Sequence, residues 1–247
     1  MADDQLLGRA RGLWEALADV PVSFTSSGGP AVVVAPDSAF CPPSWCGVVA
    51  LGDSAVVTAP GAGAARSVSR ALAGVTAAEL TRPETVRALL PVSELLGPAS
   101  LAYASGDGFR PAHGHDAVES LAPGHPDLLA LVRAVDRADA DESGMEEIAS
   151  PAFVVRDGGD VVAAAGYETW PGGAAHVCVL TAPQARGRRL ARTTASAAVA
   201  HAFAAGLLPQ WRARPPASRR VAHALGFREL GRQLSFRLVS EGSAATR

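Results

Sequence analysis

Short apolar runs of strand type alternate with longer segments of helical periodicity through most of this sequence. Apolar residues at every second position are typical of strands, and apolar residues three or four positions apart are typical of amphipathic helices. Because the two kinds of segment are interleaved, we expect a mixed α/β fold. The chain has 247 residues, of which 48% are hydrophobic, so it can form one large domain or two small ones.

The first half opens with a helical pattern and continues with short strands. Gly52-Asp53 separates two of these apolar runs and predicts a hairpin turn. Pro83 lies near the start of a later helical segment, where proline is tolerated. The predicted helices are 6–18, 61–73 and 80–90, and the predicted strands are 32–35, 48–51, 55–58 and 99–104.

The second half follows a polar break at residues 105–115, SGDGFRPAHGH, where we place a domain boundary. We expect an N-terminal α/β domain at 1–112, a second domain at 117–238 and a tail at 239–247. The predicted strands of the second domain are 118–121, 153–155, 161–167, 177–180, 208–211, 228–230 and 234–238, and its helices are 128–135, 187–205 and 218–225.

The polar break and the residues after it contain three histidines and two aspartates: His113, His115, Asp116, His125 and Asp127. A metal site is one interpretation, and a flexible linker is the interpretation that we favour. The three cysteines, Cys41, Cys46 and Cys178, have no metal-ligand spacing and imply no disulfide framework. We therefore assign no metal.

The segment TAPQARGRRLA at 181–191 concentrates arginine and glycine between an apolar strand and an Ala-rich helix. A basic patch for nucleic acid and a turn that binds phosphate groups are both possible interpretations. A loop that opens a helix presents unpaired backbone N–H groups, and the helix N-terminus carries partial positive charge. Small residues let a phosphate approach the backbone, and arginines add charged hydrogen bonds. These features favour a phosphate-binding turn.

Charge and composition argue against nucleic acid and membranes as partners. The net charge is −2, and aromatic residues, which stack on bases, make up only 5% of the chain. Since there is no lysine, arginine is the main cation, and an arginine cluster is weaker evidence for nucleic acid than usual. The absence of lysine and asparagine, whose codons are AT-rich, indicates a GC-rich, bacterial genome. With no signal-like start and no apolar run of about 18 residues, we expect a cytoplasmic protein.

Residues 117–238 resemble the GNAT superfamily of acyltransferases that use acetyl-coenzyme A. The strand ending in VLTAP continues into RGRRLA at 186–191, which is similar to the family pattern Arg/Gln-x-x-Gly-x-Gly/Ala. About 35 residues later, PPASRRVAHALGF at 215–227 resembles the family's Asn-x-Ala-Ser…Leu-Gly-Phe helix. The order of predicted elements also agrees.

The resemblance implies a binding site for acetyl-coenzyme A. Its pantetheine arm would bind the backbone of Val179, Leu180 and Thr181. Its pyrophosphate would bind the turn formed by Arg186, Gly187, Arg188, Arg189, Leu190 and Ala191. Two residues depart from the pattern, since Arg189 replaces a glycine and Pro215 an asparagine. Because helical φ and ψ do not need glycine, we expect Arg189 to be tolerated, with a side chain that clashes with the phosphates or clamps them.

The resemblance leaves the catalytic residues open. The family's usual base positions are Ala175 and Val177 here, and the position of its tyrosine acid is Ala222. The candidate bases are therefore His176, which lies between the first two, and Glu168, at the end of the preceding strand. His176 is equally well explained as a satisfied edge histidine, and Glu168 as an exposed strand-end carboxylate.

Four further residues near these motifs have structural explanations beside functional ones. Ser218 and His223 could replace the missing acid, although Ser218 fits a helix N-cap better. Cys178 is expected in the core. Trp170 and Trp211 could line an acceptor cleft, and packing explains them equally well.

The first half contains an echo of the phosphate-turn segment. TAPGAGAARSVSRALA at 58–73 is similar to TAPQARGRRLARTTASAA at 181–198. One interpretation is a tandem protein whose first half is a degenerate GNAT-like unit without the basic turn. The alternative is a coincidence in a chain rich in alanine, glycine and proline.

Two functions follow from the resemblance. The first is an N-acetyltransferase that moves acetyl from acetyl-coenzyme A to a primary amine of an unidentified small molecule or peptide. The second is a non-catalytic module that binds coenzyme A or acyl-coenzyme A as a sensor or scaffold. The acceptor and the oligomeric state cannot be read from the sequence.

Overall fold

The computed structural model describes residues 2–25, 29–114 and 118–239, and it has the mixed α/β architecture that the sequence predicts. The chain divides into two compact units. The first comprises the residues up to Leu101 together with those from Glu229 onward, and the second comprises Ala102–Arg228. Within the described residues, no helix has both the length and the hydropathy required to span a bilayer.

The described residues of the first unit form five strands in the order β1-β3-β2-β10-β4 and four helices. The strands are β1 (Ala31–Val34), β2 (Cys46–Leu51), β3 (Ser54–Ala59), β4 (Val92–Tyr103, whose last two residues belong to the second unit) and β10 (Arg228–Leu238). The helices are α1 (Ala2–Leu17), α2 (Ala62–Ala71), α3 (Ala77–Leu80) and α4 (Pro83–Leu89). The predicted hairpin is confirmed, since β2 and β3 pair antiparallel around Gly52, which has φ of 65°.

Several predicted elements of this unit differ from the structure. The strand expected at 99–104 is the end of a longer strand, β4, which begins at Val92. The helix expected at 80–90 is interrupted before Pro83, because a proline disfavours helical φ and ψ in the residue before it. The two strands expected at 228–230 and 234–238 are one strand, β10, which runs through Gly231. A Cβ at Gly231 would lie 1.8 Å from the carbonyl oxygen of Ala50 on β2, so this glycine allows a close approach of two backbones.

The second unit contains the strands β9-β8-β7-β6-β5 in that order. Neighbouring strands are antiparallel except β8 and β9, which are parallel. The strands are β5 (Glu119–Leu121), β6 (Ala152–Asp157), β7 (Asp160–Trp170), β8 (Ala174–Thr181) and β9 (Leu208–Ala213). The helices are α5 (Pro126–Ala134), α6 (Arg137–Ser143), α7 (Leu190–Ala204) and α8 (Pro216–Ala224).

The strands of the second unit bury both faces. On β8, Val177 and Val179 pack in a cluster with residues of α7 and α8. The alternate residues Cys178 and Leu180 pack in another cluster with residues of α5 and with Met145 and Ile148. Cys178 is 1% exposed, which confirms its expected place in the core.

Helix α6 is not among the elements predicted from the sequence. Its start has a local signal, because the side chain of Asp136 accepts a hydrogen bond from the backbone N–H of Asp139 at 2.8 Å. Its end has another, since Gly144 adopts left-handed φ of 60°. No residue of α6 is fully buried, so its sequence lacks the apolar stripe that reveals most helices.

Candidate functional site

The turn between β8 and α7 leaves a run of backbone donors unused. The chain leaves β8 at Thr181, makes a 3₁₀ turn at Pro183–Ala185 and enters α7 at Leu190. Within the described part of the chain, the five successive N–H groups of Gly187 to Ala191 donate no hydrogen bond to a protein acceptor. The N–H groups in the first turn of any helix are ordinarily unpaired, and in α7 that turn starts at Leu190. Three of the five donors precede Leu190, so the run is longer than the helix start alone provides. Such a run at a helix N-terminus suits a phosphate group.

Arg189 occupies a backbone conformation that usually favours glycine. Its φ is 64° and its ψ is 12°, in the left-handed region, and it forms the N-cap of α7. The expectation that this position has helical φ and ψ is therefore wrong. The turn has to reverse direction before α7 begins, and Gly187 (φ 82°) and Arg189 provide the two left-handed steps.

The side chains of the arginines in this turn differ in their partners. Arg186 forms an ion pair with Asp139 of α6. Arg188 donates from Nη1 to Oδ2 of Asp157 at 2.5 Å, at the turn between β6 and β7. Arg189 is exposed, and it has no carboxylate partner among the described residues. Both ion pairs are solvent-exposed and are worth about 0–1 kcal/mol each, so a phosphate can displace them.

The strands β8 and β9 diverge toward this turn. Their parallel pairing covers Ala174 to His176 on β8 and Leu208 to Gln210 on β9. Beyond these pairs, β8 continues to Thr181 and β9 to Ala213 without further pairing between them, while β8 stays paired with β7. Every second residue of β8 after His176 therefore has backbone groups directed into the opening. The Oγ1 atom of Thr181, at the end of the opening, is buried and has no hydrogen-bond partner.

The two candidate catalytic residues lie side by side on the strand face that also carries Cys178. Glu168 on β7 and His176 on β8 are direct partners in the antiparallel ladder. Facing side chains in such a ladder have Cβ atoms about 5 Å apart. Glu168 is half-buried, and its Oε2 accepts a hydrogen bond from Nε1 of Trp170 at 2.7 Å. The structure therefore brings Glu168 and His176 together.

His176 is buried and held on two sides. Its exposed fraction is 8%, its Nδ1 lies 2.6 Å from Oε1 of Gln210, and its ring stacks on Trp170 at 4.2 Å between centroids. Burial and the nearby charge of Arg212 lower the pKa of His176 to about 3, although the hydrogen bond to Oε1 of Gln210 opposes this. The imidazole is therefore neutral near pH 7.

Arg212 lies two residues beyond Gln210 on β9, and sequence analysis missed it. Trp211 and Ala213 pack in the cluster with α7 and α8, so strand alternation places Gln210 and Arg212 on the face of His176. The Cζ atom of Arg212 lies 5.7 Å from the ring centroid of Trp170. The alternation was the available signal, but it has meaning only once the buried face of β9 is known.

The charges of Glu142 and Glu147 influence Arg212, and Glu142 forms an ion pair with Arg214. The side chain of Arg212 is exposed to solvent, yet desolvation by the surrounding protein lowers its pKa. We call the group formed on this face of the three strands by Glu168, His176, Gln210, Arg212 and Trp170 the β7–β9 cleft.

The other candidates from the sequence have structural roles. The prediction that Ser218 is a helix N-cap is wrong, because Pro215 occupies that position and Ser218 Oγ accepts a hydrogen bond from Nε1 of Trp211 at 2.9 Å. Trp211 is packed in the core beside α7 and α8, and His223 is exposed on α8.

The histidines of the polar break show no metal site in the described part of the chain. His115 and Asp116 lie outside the described residues. His113 is exposed, and Nδ1 of His125 accepts a hydrogen bond from the backbone N–H of Asp127 at the start of α5. Among the residues that the structure describes, no three His, Cys, Asp or Glu side chains form a group that could hold a metal ion.

Comparison with known proteins connects this geometry to a family. The model of the GNAT acetyltransferase family matches residues 151–232, which include β6 to β9, the turn between β8 and α7, and the β7–β9 cleft. Comparison with curated proteins found no match.

Solved structures of the same family also align with the chain. A protein of the GNAT family from Novosphingobium aromaticivorans is 23% identical with a TM-score of 0.49, over 60% of this chain and 67% of its own. An acetyltransferase of the GNAT family from Colwellia psychrerythraea is 13% identical with a TM-score of 0.44, over 60% of this chain and 59% of its own. The chain thus spans about two thirds or less of the length of these structures.

Proposed function

Because the second half of the chain carries a GNAT acetyltransferase domain, we propose that the protein transfers an acetyl group from acetyl-coenzyme A to a primary amine. The observation that carries this proposal is the run of five unused N–H groups, Gly187 to Ala191, beside the opening between β8 and β9. A donor with a pyrophosphate and a long amide-containing arm fits both features. The family generally uses acetyl-coenzyme A.

Residues of the turn and of β8 bind the donor in this proposal. The N–H groups of Gly187, Arg188, Arg189, Leu190 and Ala191 hold the pyrophosphate, and Arg186 contributes its side chain after exchanging Asp139 for phosphate. The exposed side chain of Arg189 adds a charge that no described carboxylate neutralises. The backbone of Val179, Leu180 and Thr181 pairs with the amides of the arm as a missing strand would.

In this proposal, acetyl transfer takes place at the β7–β9 cleft. An amine enters as an ammonium, and Glu168 accepts one of its protons and passes it to solvent. The nitrogen attacks the thioester carbon, so the C–N bond forms and the C–S bond breaks. The thiolate leaves as a thiol with the second proton of the ammonium, and the third remains on the amide. With a pKa of about 3, His176 is a poor acceptor for these protons, and we assign it to positioning Trp170 and Gln210.

A non-catalytic protein that binds coenzyme A is the second candidate. Ala222 occupies the position of the family's tyrosine acid, and carboxylates already pair with Arg186 and Arg188. Positioning of amine and thioester can accelerate transfer without a protein acid, so these features do not exclude turnover.

Calorimetric titration with acetyl-coenzyme A, together with a thiol-release assay, tests the proposal. Gly187 and Gly206 both have left-handed φ and open space at Cβ, and they lie at opposite ends of α7. We expect Gly187→Asp to abolish binding, Gly187→Asn to weaken it and Gly206→Asp to leave it unchanged. If the wild type does not bind acetyl-coenzyme A, or if Gly187→Asp binds it like the wild type, the assignment of Gly187 to Ala191 as a phosphate-binding turn is wrong. Binding without thiol release in an amine panel selects the second candidate.

A further inference from the structure

We propose that the acceptor is a primary amine that also carries a carboxylate, and that Arg212 binds this carboxylate in the β7–β9 cleft. The inference rests on the proposed acetyl transfer and adds the class of acceptor. The geometry that points to it is a cation without a hydrogen-bonded partner and the carboxylate of Glu168, which both contact the indole of Trp170.

Arg212 is available for an anionic ligand. Within the described residues, its guanidinium takes part in no hydrogen bond or ion pair, and its contact is with the ring of Trp170. Glu142, whose charge influences Arg212, forms its ion pair with the neighbouring Arg214. Desolvation lowers the pKa of Arg212, which means that its charge is held at a cost that a bound anion relieves.

A second unused donor lies on the same face. Gln210 is fully buried, and its Oε1 contacts Nδ1 of His176, while its Nε2 has no hydrogen-bond partner. A buried amide without a partner is costly by about 1–3 kcal/mol and is rare unless a ligand or water satisfies it. Gln210 and Arg212 are alternate residues of one strand, so both donors belong to one face of β9.

The charges around the cleft favour a carboxylate over a phosphate. The charges of Glu147 and Glu142 influence Arg212, and the carboxylate of Glu168 is hydrogen-bonded to Trp170. A doubly charged phosphate is repelled by these carboxylates more than a singly charged carboxylate is. A guanidinium binds a carboxylate through two parallel N–H donors, which fixes its orientation. The ammonium of the same molecule then faces Glu168.

Matched pairs of acceptors test this inference in the thiol-release assay. The panel contains the protein amino acids, each with its C-terminal amide, and γ-aminobutyrate with propylamine. We expect at least one carboxylate-bearing member to have a kcat/KM about tenfold or more above its partner, because a hydrogen bond between charged groups has this effect.

Two variants separate Arg212 from a general effect of charge. Arg212→Gln should remove the preference by raising KM for the carboxylate-bearing acceptor, with the affinity for acetyl-coenzyme A unchanged, and Arg212→Lys should retain part of it. Arg214→Gln, which removes the same charge two residues away, should keep the preference.

The outcomes distinguish this inference from the proposed function. If acetyl-coenzyme A binds and simple amines or amino acid amides react as well as the carboxylates, the acceptor class is wrong while acetyl transfer stands. If acetyl-coenzyme A binds and no carboxylate-bearing amine of the panel reacts, the acceptor class is also wrong. If acetyl-coenzyme A does not bind, the proposed acetyl transfer and the acceptor class are both wrong. A preference that survives in Arg212→Gln assigns the carboxylate to another residue and overturns the role of Arg212.

Discussion

Replacing Arg189 by glycine should stabilise the protein, although it removes a large side chain from a helix N-terminus. A residue with a Cβ pays about 1–2 kcal/mol in the left-handed conformation, and Arg189 has φ of 64°. Glycine removes this strain but adds about 0.4–1 kcal/mol of chain entropy to the unfolded state. The side chain of Arg189 has no ion pair to lose among the described residues. The net expected gain in the free energy of unfolding is about 0.5–1 kcal/mol.

Urea unfolding measured for Arg189→Gly and Arg188→Gly checks this reasoning. Arg188 is the adjacent arginine, its φ is not positive, and its side chain pairs with Asp157. Arg188→Gly should therefore lower the free energy of unfolding by about 0.5–1 kcal/mol, since glycine costs entropy without relieving strain. In thermal melts, the gain for Arg189→Gly corresponds to about 1–4 °C. If Arg189→Gly lowers the free energy of unfolding as much as Arg188→Gly does, the left-handed conformation of Arg189 is refuted.

Three further predictions concern an ion pair, a buried histidine and a close backbone contact. Asp139→Asn frees Arg186 from its partner and should tighten binding of acetyl-coenzyme A by about two- to fivefold in calorimetry; the exposed Asp141→Asn on the same helix should have no effect, and equal effects would contradict the competition. His176 has a pKa of about 3 when folded, so below about pH 6.5 the unfolded chain takes up a proton that the folded chain does not, and stability falls as pH falls. Between pH 7.5 and 5.0 the free energy of unfolding of the wild type should fall by about 2 kcal/mol through this group, and the His176→Asn variant should lack this loss. If the urea midpoint of the variant depends on pH as that of the wild type does, His176 titrates normally. Gly231→Ala places a Cβ against a backbone carbonyl of β2 and should destabilise the first unit by more than about 1 kcal/mol, whereas a melting temperature equal to that of the wild type would mean that β2 and β10 can separate there.

The element order of the second unit could be predicted because its apolar periodicities are strong. The β6–β7 hairpin, the apolar strand β8 and the Ala-rich helix α7 all follow from local patterns, and the family match at 151–232 covers them. The failures have different reasons: Pro83 interrupts the helix expected at 80–90, and α6 has no apolar stripe. Two strands were expected at 228–230 and 234–238, but Gly231 lies inside the single strand β10, where the neighbouring backbone of β2 leaves no room for a Cβ.

The site was predicted in part, for a physical reason. The phosphate turn is one continuous segment, so its residues stand together in the sequence. The β7–β9 cleft combines three strands, and strand register decides that Glu168 and His176 face each other and that Gln210 joins them. Arg212 and Asp139 act through contacts with residues far away in the chain, and no local pattern contains those contacts.

In this chain, whether an arginine has a carboxylate partner indicates its role better than the number of arginines does. Since there is no lysine, arginines serve structural ion pairs as well as binding sites, and their presence alone indicates little. Around the turn and the cleft, Arg186, Arg188 and Arg214 have carboxylate partners. Arg189 and Arg212 have none among the described residues. These two cations lie at the two places where the proposed reaction needs positive charge, beside the phosphates of the donor and beside the carboxylate of the acceptor. Neutralising either one should therefore affect a different substrate, Arg189 the donor and Arg212 the acceptor.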